Sequence, residues 1–112
     1  MAAGTYNFTL EQGSTFSRQI TVQENSSALN LTGYTARMQM RSTHDSSSIA
    51  LTFTAAIANP ATNGKINLGA TATATAAVEE GIYVYDLEIE SSGGVVTRLM
   101  EGTVTVTPEV TR

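Results

Sequence analysis

The sequence predicts an all-β chain, an antiparallel β-sandwich of about eight short strands. Three observations carry this: side chains alternate between apolar and polar over most of the length, Thr, Tyr and Val crowd the alternating runs, and clusters of Gly, Asn, Ser and Pro separate them at short intervals. The clearest case is 81–107, GIYVYDLEIESSGGVVTRLMEGTVTVT. Tyr83, Tyr85, Leu87 and Ile89 share one parity and Val84, Asp86, Glu88 and Glu90 the other, as expected of a strand with one buried face. Ser91-Ser92-Gly93-Gly94 then turns the chain into a second β-rich run, which makes a hairpin.

The remaining elements follow from the N-terminus. Over 5–10, Tyr6, Phe8 and Leu10 alternate with Thr5, Asn7 and Thr9, giving a short strand, and Glu11 to Ser14 turns. Residues 15–23 place Phe16, Ile20 and Val22 on one side, with Arg18 interrupting that face. The stretch 24–33 has loop chemistry around Leu29 and Leu31, which plug the edge of the core. In 34–42, Tyr34, Ala36, Met38 and Met40 point inward and Thr35, Arg37, Gln39 and Arg41 outward. The polar cluster 42–48 is a loop, and 49–54 returns as a strand through Ile49, Leu51 and Phe53. Asn59-Pro60 and Asn63-Gly64 mark breaks before a short strand at 65–68. The Ala/Thr-rich 70–80 could serve as strand or helix, and the reading taken is a single helical turn from Ala74 to Glu80, ended by Gly81 in a left-handed conformation. In 95–107, Leu99 falls on one face and Met100, Val104 and Val106 on the other, so a bulge is expected near Gly102. Pro108, lacking an N–H, ends the ladder.

Size and composition narrow the function. At 112 residues the chain is expected to be a single domain, 1–112, with one modest core. Zero cysteines exclude disulfides, thiolate metal sites and a thiol nucleophile. A net charge of −4 with only six basic residues argues against nucleic-acid backbone binding, which requires clustered cations. No apolar run approaches the roughly 20 residues that span a bilayer, so no membrane partner is expected. The start MAAGTYNFTL shows neither a basic nor an apolar leader region, so no secretory signal is expected. Charged residues make up 14%, against about 25% in ordinary soluble domains. A charge-poor, Thr-rich surface can be covered by neighbours without stranding charges, which shifts the expectation toward assembly.

No catalytic, cofactor or metal residue is assigned. His44 beside Asp45 and Ser46 to Ser48 is a solvated loop, since a catalytic triad is assembled from separated elements. Asp86, Glu88 and Glu90 form a carboxylate row, but same-face neighbours lie roughly 7 Å apart in a strand and calcium needs converging oxygens. Arg98 on the partner strand is their expected counter-charge. Gly93-Gly94 is a turn with no helix behind it to present to a phosphate. Tyr6, Tyr34, Tyr83 and Tyr85 could stack on sugars, although at strand parity they read as core or subunit-contact residues.

Two stretches, LTGYTARMQMRS at 31–42 and GIYVYDLEIESSGGVVTRLMEGTVTVTPEVTR at 81–112, carry a family likeness. Together they resemble small β-sandwich virion proteins of tailed bacteriophages, in the patterns "LTGY, strand, Arg" and "G-x-Y-x-YDLE, turn, R-L-x-x-G, strand, P-x-V-T-R". Asn30 stands where an acidic residue is usual in that pattern, and 55–80 is unusually rich in Ala and Thr. The resemblance implies a non-enzymatic structural component near the tail tube, baseplate or fibre attachment, located in the virion after synthesis in the host cytoplasm. Its partners would be other virion proteins and copies of itself in a symmetric ring, with edge strands and the segments 24–33, 42–48 and 55–64 in contact. The alternatives are a capsid decoration protein and a carbohydrate-binding module that touches the host surface. Gly33, Gly81 and Gly102 are expected to be fold determinants.

Overall fold

In the computed structural model, residues 4–24 and 26–110 are described. The chain is mostly β. Its strands are β1 (Gly4–Thr5), β2 (Phe8–Glu11), β3 (Phe16–Thr21), β4 (Gln23–Glu24), β5 (Ser27–Ala28), β6 (Thr35–Arg41), β7 (Leu51–Ile57), β8 (Lys65–Ala70), β9 (Gly81–Glu90) and β10 (Val96–Thr107). One helical turn, α1 (Ala72–Ala76), and a 3-10 turn at Ala61–Asn63 complete it. No helix among the described residues is long and apolar enough to cross a membrane.

Eight of the strands form one sheet in the order β1-β10-β9-β6-β7-β8-β3, with β2 also on β10. The sheet is mixed, which corrects the antiparallel expectation. Both β1 and β2 run parallel to β10, with Phe8 opposite Val104 and Leu10 opposite Val106. Local alternation is blind to this, because the partners are far apart in sequence and parallel strands need no shared turn. The sheet also curls into a half-barrel. β7 pairs with β6 through Leu51 to Phe53 and then with β8 through Thr54 to Ile57, so one strand carries the sheet around the corner. The small separate pair β4-β5 lies in the segment read as loop.

The core fills the concave side. Met38, Met40, Ile66, Leu87 and Val104 are fully buried, joined by Leu10, Leu31, Phe53 and Ile89. The alternation expected for β6 and β9 is found: Met38 lies opposite Leu87 and Met40 opposite Tyr85, while Arg37 faces Glu88 on the other side. Leu31 is buried and Leu29 packs against the core, as expected of plugs. The β9-β10 turn is closed by Ser91 N–H to the Val95 carbonyl at 2.9 Å, with Gly94 at φ +88°.

Five local expectations are corrected. The N-terminal strand is broken at Tyr6 and Asn7, and the strand expected at 49–54 instead spans 51–57, so that 55–57 is ladder and not contact loop. The helical turn sits earlier, because Thr71 caps it by accepting the Ala74 N–H at 3.1 Å and Ala77 closes it. Gly81 therefore opens β9; its φ of +148° is open to glycine but is not the left-handed helical cap expected. Finally, the bulge lies between Arg98 and Met100. The extra residue is Leu99, and both Leu99 and Met100 pack against the core, which resolves the parity conflict. Gly102 instead provides clearance, since a Cβ there would lie 2.7 Å from Asn7 Oδ1 and against the Tyr6 carbonyl.

Candidate functional site

The curl brings the two ends of the sheet face to face. Among the described residues, β3 is one terminal strand, with a ladder only to β8, while β1 and β2 pair only with β10. Between them runs a seam with no backbone ladder across it, floored by a groove of about 350 Å³. Phe8, Phe16, Ile20, Met38, Leu68 and Leu99 line it. The strands supply these side chains by parity, and the bulge at Leu99 turns an otherwise outward position toward the groove.

Arg18 lies across the seam. Its guanidinium sits 5.8 Å from the ring centres of Tyr6 and Phe8 and 5.4 Å from that of Phe16, within cation–π range. It also donates a hydrogen bond to the Tyr6 hydroxyl. Its position on the inward parity looked like an interruption of an apolar face. On a terminal strand that face is only half covered, so the long stem packs on rings while the charge stays at the surface. Beneath it, Phe8 stacks on Phe16 at 5.3 Å and meets the edge of Tyr85 at 5.0 Å. The Tyr85 hydroxyl donates to the Tyr6 carbonyl at 2.5 Å. Burial pushes the Tyr85 phenol up to about 12, reinforced by Tyr6 and opposed by the Arg18 charge.

A buried threonine, which sequence patterning did not single out, holds the lower end of the seam. Thr75 donates to the Ser14 carbonyl at 2.8 Å and accepts from the Gly13 N–H at 3.1 Å, tying the β2-β3 turn to α1. Gln12 adds a bond to the Val78 carbonyl at 2.7 Å and accepts from the Glu109 N–H at 3.0 Å. Among the described residues, no buried side-chain polar atom is left without a partner.

The carboxylate row lies on the convex face and is cross-paired. Arg37 on β6 bonds Glu88 at 2.9 Å and Glu90 at 3.0 Å, and Arg98 approaches Asp86 at 3.4 Å and Glu101 at 3.3 Å. Arg98 thus serves as a counter-charge as expected, but Arg37 takes two of the three carboxylates. Asp86 is pushed up from the ordinary carboxylate range by burial and then by Glu88, against the pull of Arg98 and His44. His44 is exposed in the 42–48 loop and lines the shallow hollow beside Asp86.

The tyrosines are dispersed. Tyr85 is buried, Tyr34 and Tyr83 are half-buried, and Tyr6 is exposed at the seam. Ile82 at 70% exposure and Val95 at 66% stand out on opposite ends of the β9-β10 hairpin. Compared with models of protein families and with curated proteins, the chain matches none.

Proposed function

We propose that this chain is a non-enzymatic structural protein of a tailed-phage virion, a tail-associated ring, baseplate or fibre-adaptor component that works through protein–protein contacts. The observation that carries the assembly part is the open seam: a sheet that ends, among the described residues, in two unpaired edges, with an apolar floor between them, presents backbone donors and acceptors to another chain. Exposed Ile82, Val95 and Val96 add apolar surface at the two ends of the β9-β10 hairpin. The placement in a virion rests on the motifs at 31–42 and 81–112. A sugar-binding role is less favoured, because a stacking platform needs several exposed rings on one side and only Tyr6 is exposed among the four tyrosines.

The test combines two measurements. Mass spectrometry of purified particles should find the chain, at roughly six to eighteen copies for a tail ring as against hundreds for capsid decoration. Sedimentation of the purified chain at high concentration should show a closed oligomer. A chain that stays monomeric and is missing from the particles refutes the reading.

A further inference from the structure

We infer that the seam is a strand-acceptor site, filled in the assembled particle by an extended segment of a neighbouring protein that adds to the free edge of β3. Its alternate side chains would be apolar and one would carry a carboxylate. This deepens the assembly reading above and rests on it.

Three separate features specify that occupant. First, among the described residues β3 has its ladder to β8 on one side only, and the facing β1 and β2 pair only with β10, so main-chain groups line both lips of the opening. Added strands draw their affinity from such groups and their specificity from pockets for every second side chain. Second, the floor between the lips is apolar, built from Phe8, Phe16, Ile20, Met38 and Leu68, and its volume of about 350 Å³ accommodates inward-pointing side chains of a passing strand. Third, Arg18 stands at the rim. Arg37 and Arg98 are both engaged with carboxylates, whereas Arg18 makes no ion pair among the described residues and rests on aromatic faces. A guanidinium held in this way offers a planar donor fork suited to a carboxylate. Among the described residues the alternating stretches at 8–11, 16–21, 35–41, 51–57, 65–70, 81–90 and 96–107 are already committed to this sheet, so the occupant proposed is a segment of a different protein.

The probe is a short capped peptide of alternating valine and threonine with one central glutamate, together with versions carrying glutamine or lysine in its place. Each is titrated into the isotopically labelled chain while backbone amide shifts are followed. Saturable shifts largest at Gly4–Thr5, Phe16–Thr21 and their neighbours are expected, with the glutamate peptide about fivefold tighter than the glutamine one and the lysine peptide weakest. Arg18→Glu should invert the order of the glutamate and lysine peptides. If that variant does not fold, the wild-type ranking of the three peptides decides alone. No shifts at the seam, equal affinity for all three peptides, or a response to decanoate in the groove with none to the peptides would each overturn the proposal. Failure here leaves the virion and oligomer measurements untouched. Peptide binding by a chain that is missing from particles would keep the acceptor site and discard the phage placement.

Discussion

Replacing Gly102 by alanine drives a methyl group into the segment that crosses between β1 and β2. The added Cβ would lie against the Tyr6 carbonyl, 2.7 Å from Asn7 Oδ1 and 2.9 Å from the Tyr6 carbonyl carbon, and two of these atoms belong to main chain that cannot swing aside. That crossing is held at three points. The Tyr6 N–H bonds the Glu101 carbonyl at 2.9 Å, Asn7 Oδ1 accepts the Thr103 N–H at 2.9 Å, and the Tyr6 carbonyl accepts the Tyr85 hydroxyl at 2.5 Å. Overpacking of this kind costs about 1–3 kcal/mol, and losing one buried hydrogen bond adds about 1 kcal/mol. A destabilisation of about 2–4 kcal/mol follows. At about 4 °C per kcal/mol for a domain of this size, the melting temperature should fall by about 8–16 °C. Thermal and urea unfolding followed by circular dichroism measure it, with Gly93→Ala as the control, since a Cβ at Gly93 meets nothing closer than 3.9 Å. A Gly102→Ala variant that melts with wild type would refute the account of this glycine as the clearance for the N-terminal strand.

Two further outcomes test neighbouring parts of the structure. Gly81→Val should cost about 1–3 kcal/mol in urea unfolding, because a β-branched residue is strained at a φ of +148° whatever space surrounds it; a neutral result would mean that β9 opens with another backbone geometry. Tyr85 has a folded-state value raised to about 12 from 10.0, so its contribution is complete below pH 10 and is lost as the pH rises through 12. The ultraviolet titration should therefore contain one tyrosine ionising near 12 that disappears in Tyr85→Phe, and the variant should lose about 1 kcal/mol at neutral pH from the unanswered Tyr6 carbonyl.

The parts of the fold legible in the sequence are those set by neighbours along the chain. The alternation of β6 and β9 put Met38, Met40 and Leu87 in the core and Arg37, Glu88 and Glu90 outside it, because strand period alone decides this. The parity conflict in β10 was equally visible, yet it pointed to Gly102, the residue that most resembles a bulge. The extra residue is Leu99, and the glycine answers to Tyr6 and Asn7, nearly a hundred positions away. The same distance hides the parallel pairing of β2 with β10, and the curl that brings Phe8 under Arg18 at the seam is equally hidden. Thr71 carried a usable capping signal, three positions before Ala74, that would have placed α1 correctly. Arg18 was legible only as an anomaly: nothing in TFSRQITVQ says that its strand lies at the end of a curled sheet.

The handover within β7 gives the molecule a spine. Three residue pairs join it to β6 and four to β8, and the opening between β3 and the N-terminal strands lies at the far ends of the two covers so joined. Any flexing at 51–57 is therefore amplified as a change in the width of that opening, as with a book held by its binding. A guest wedged between the covers would in turn be felt at the binding, so the amides of 51–57 should slow their hydrogen exchange although nothing touches them.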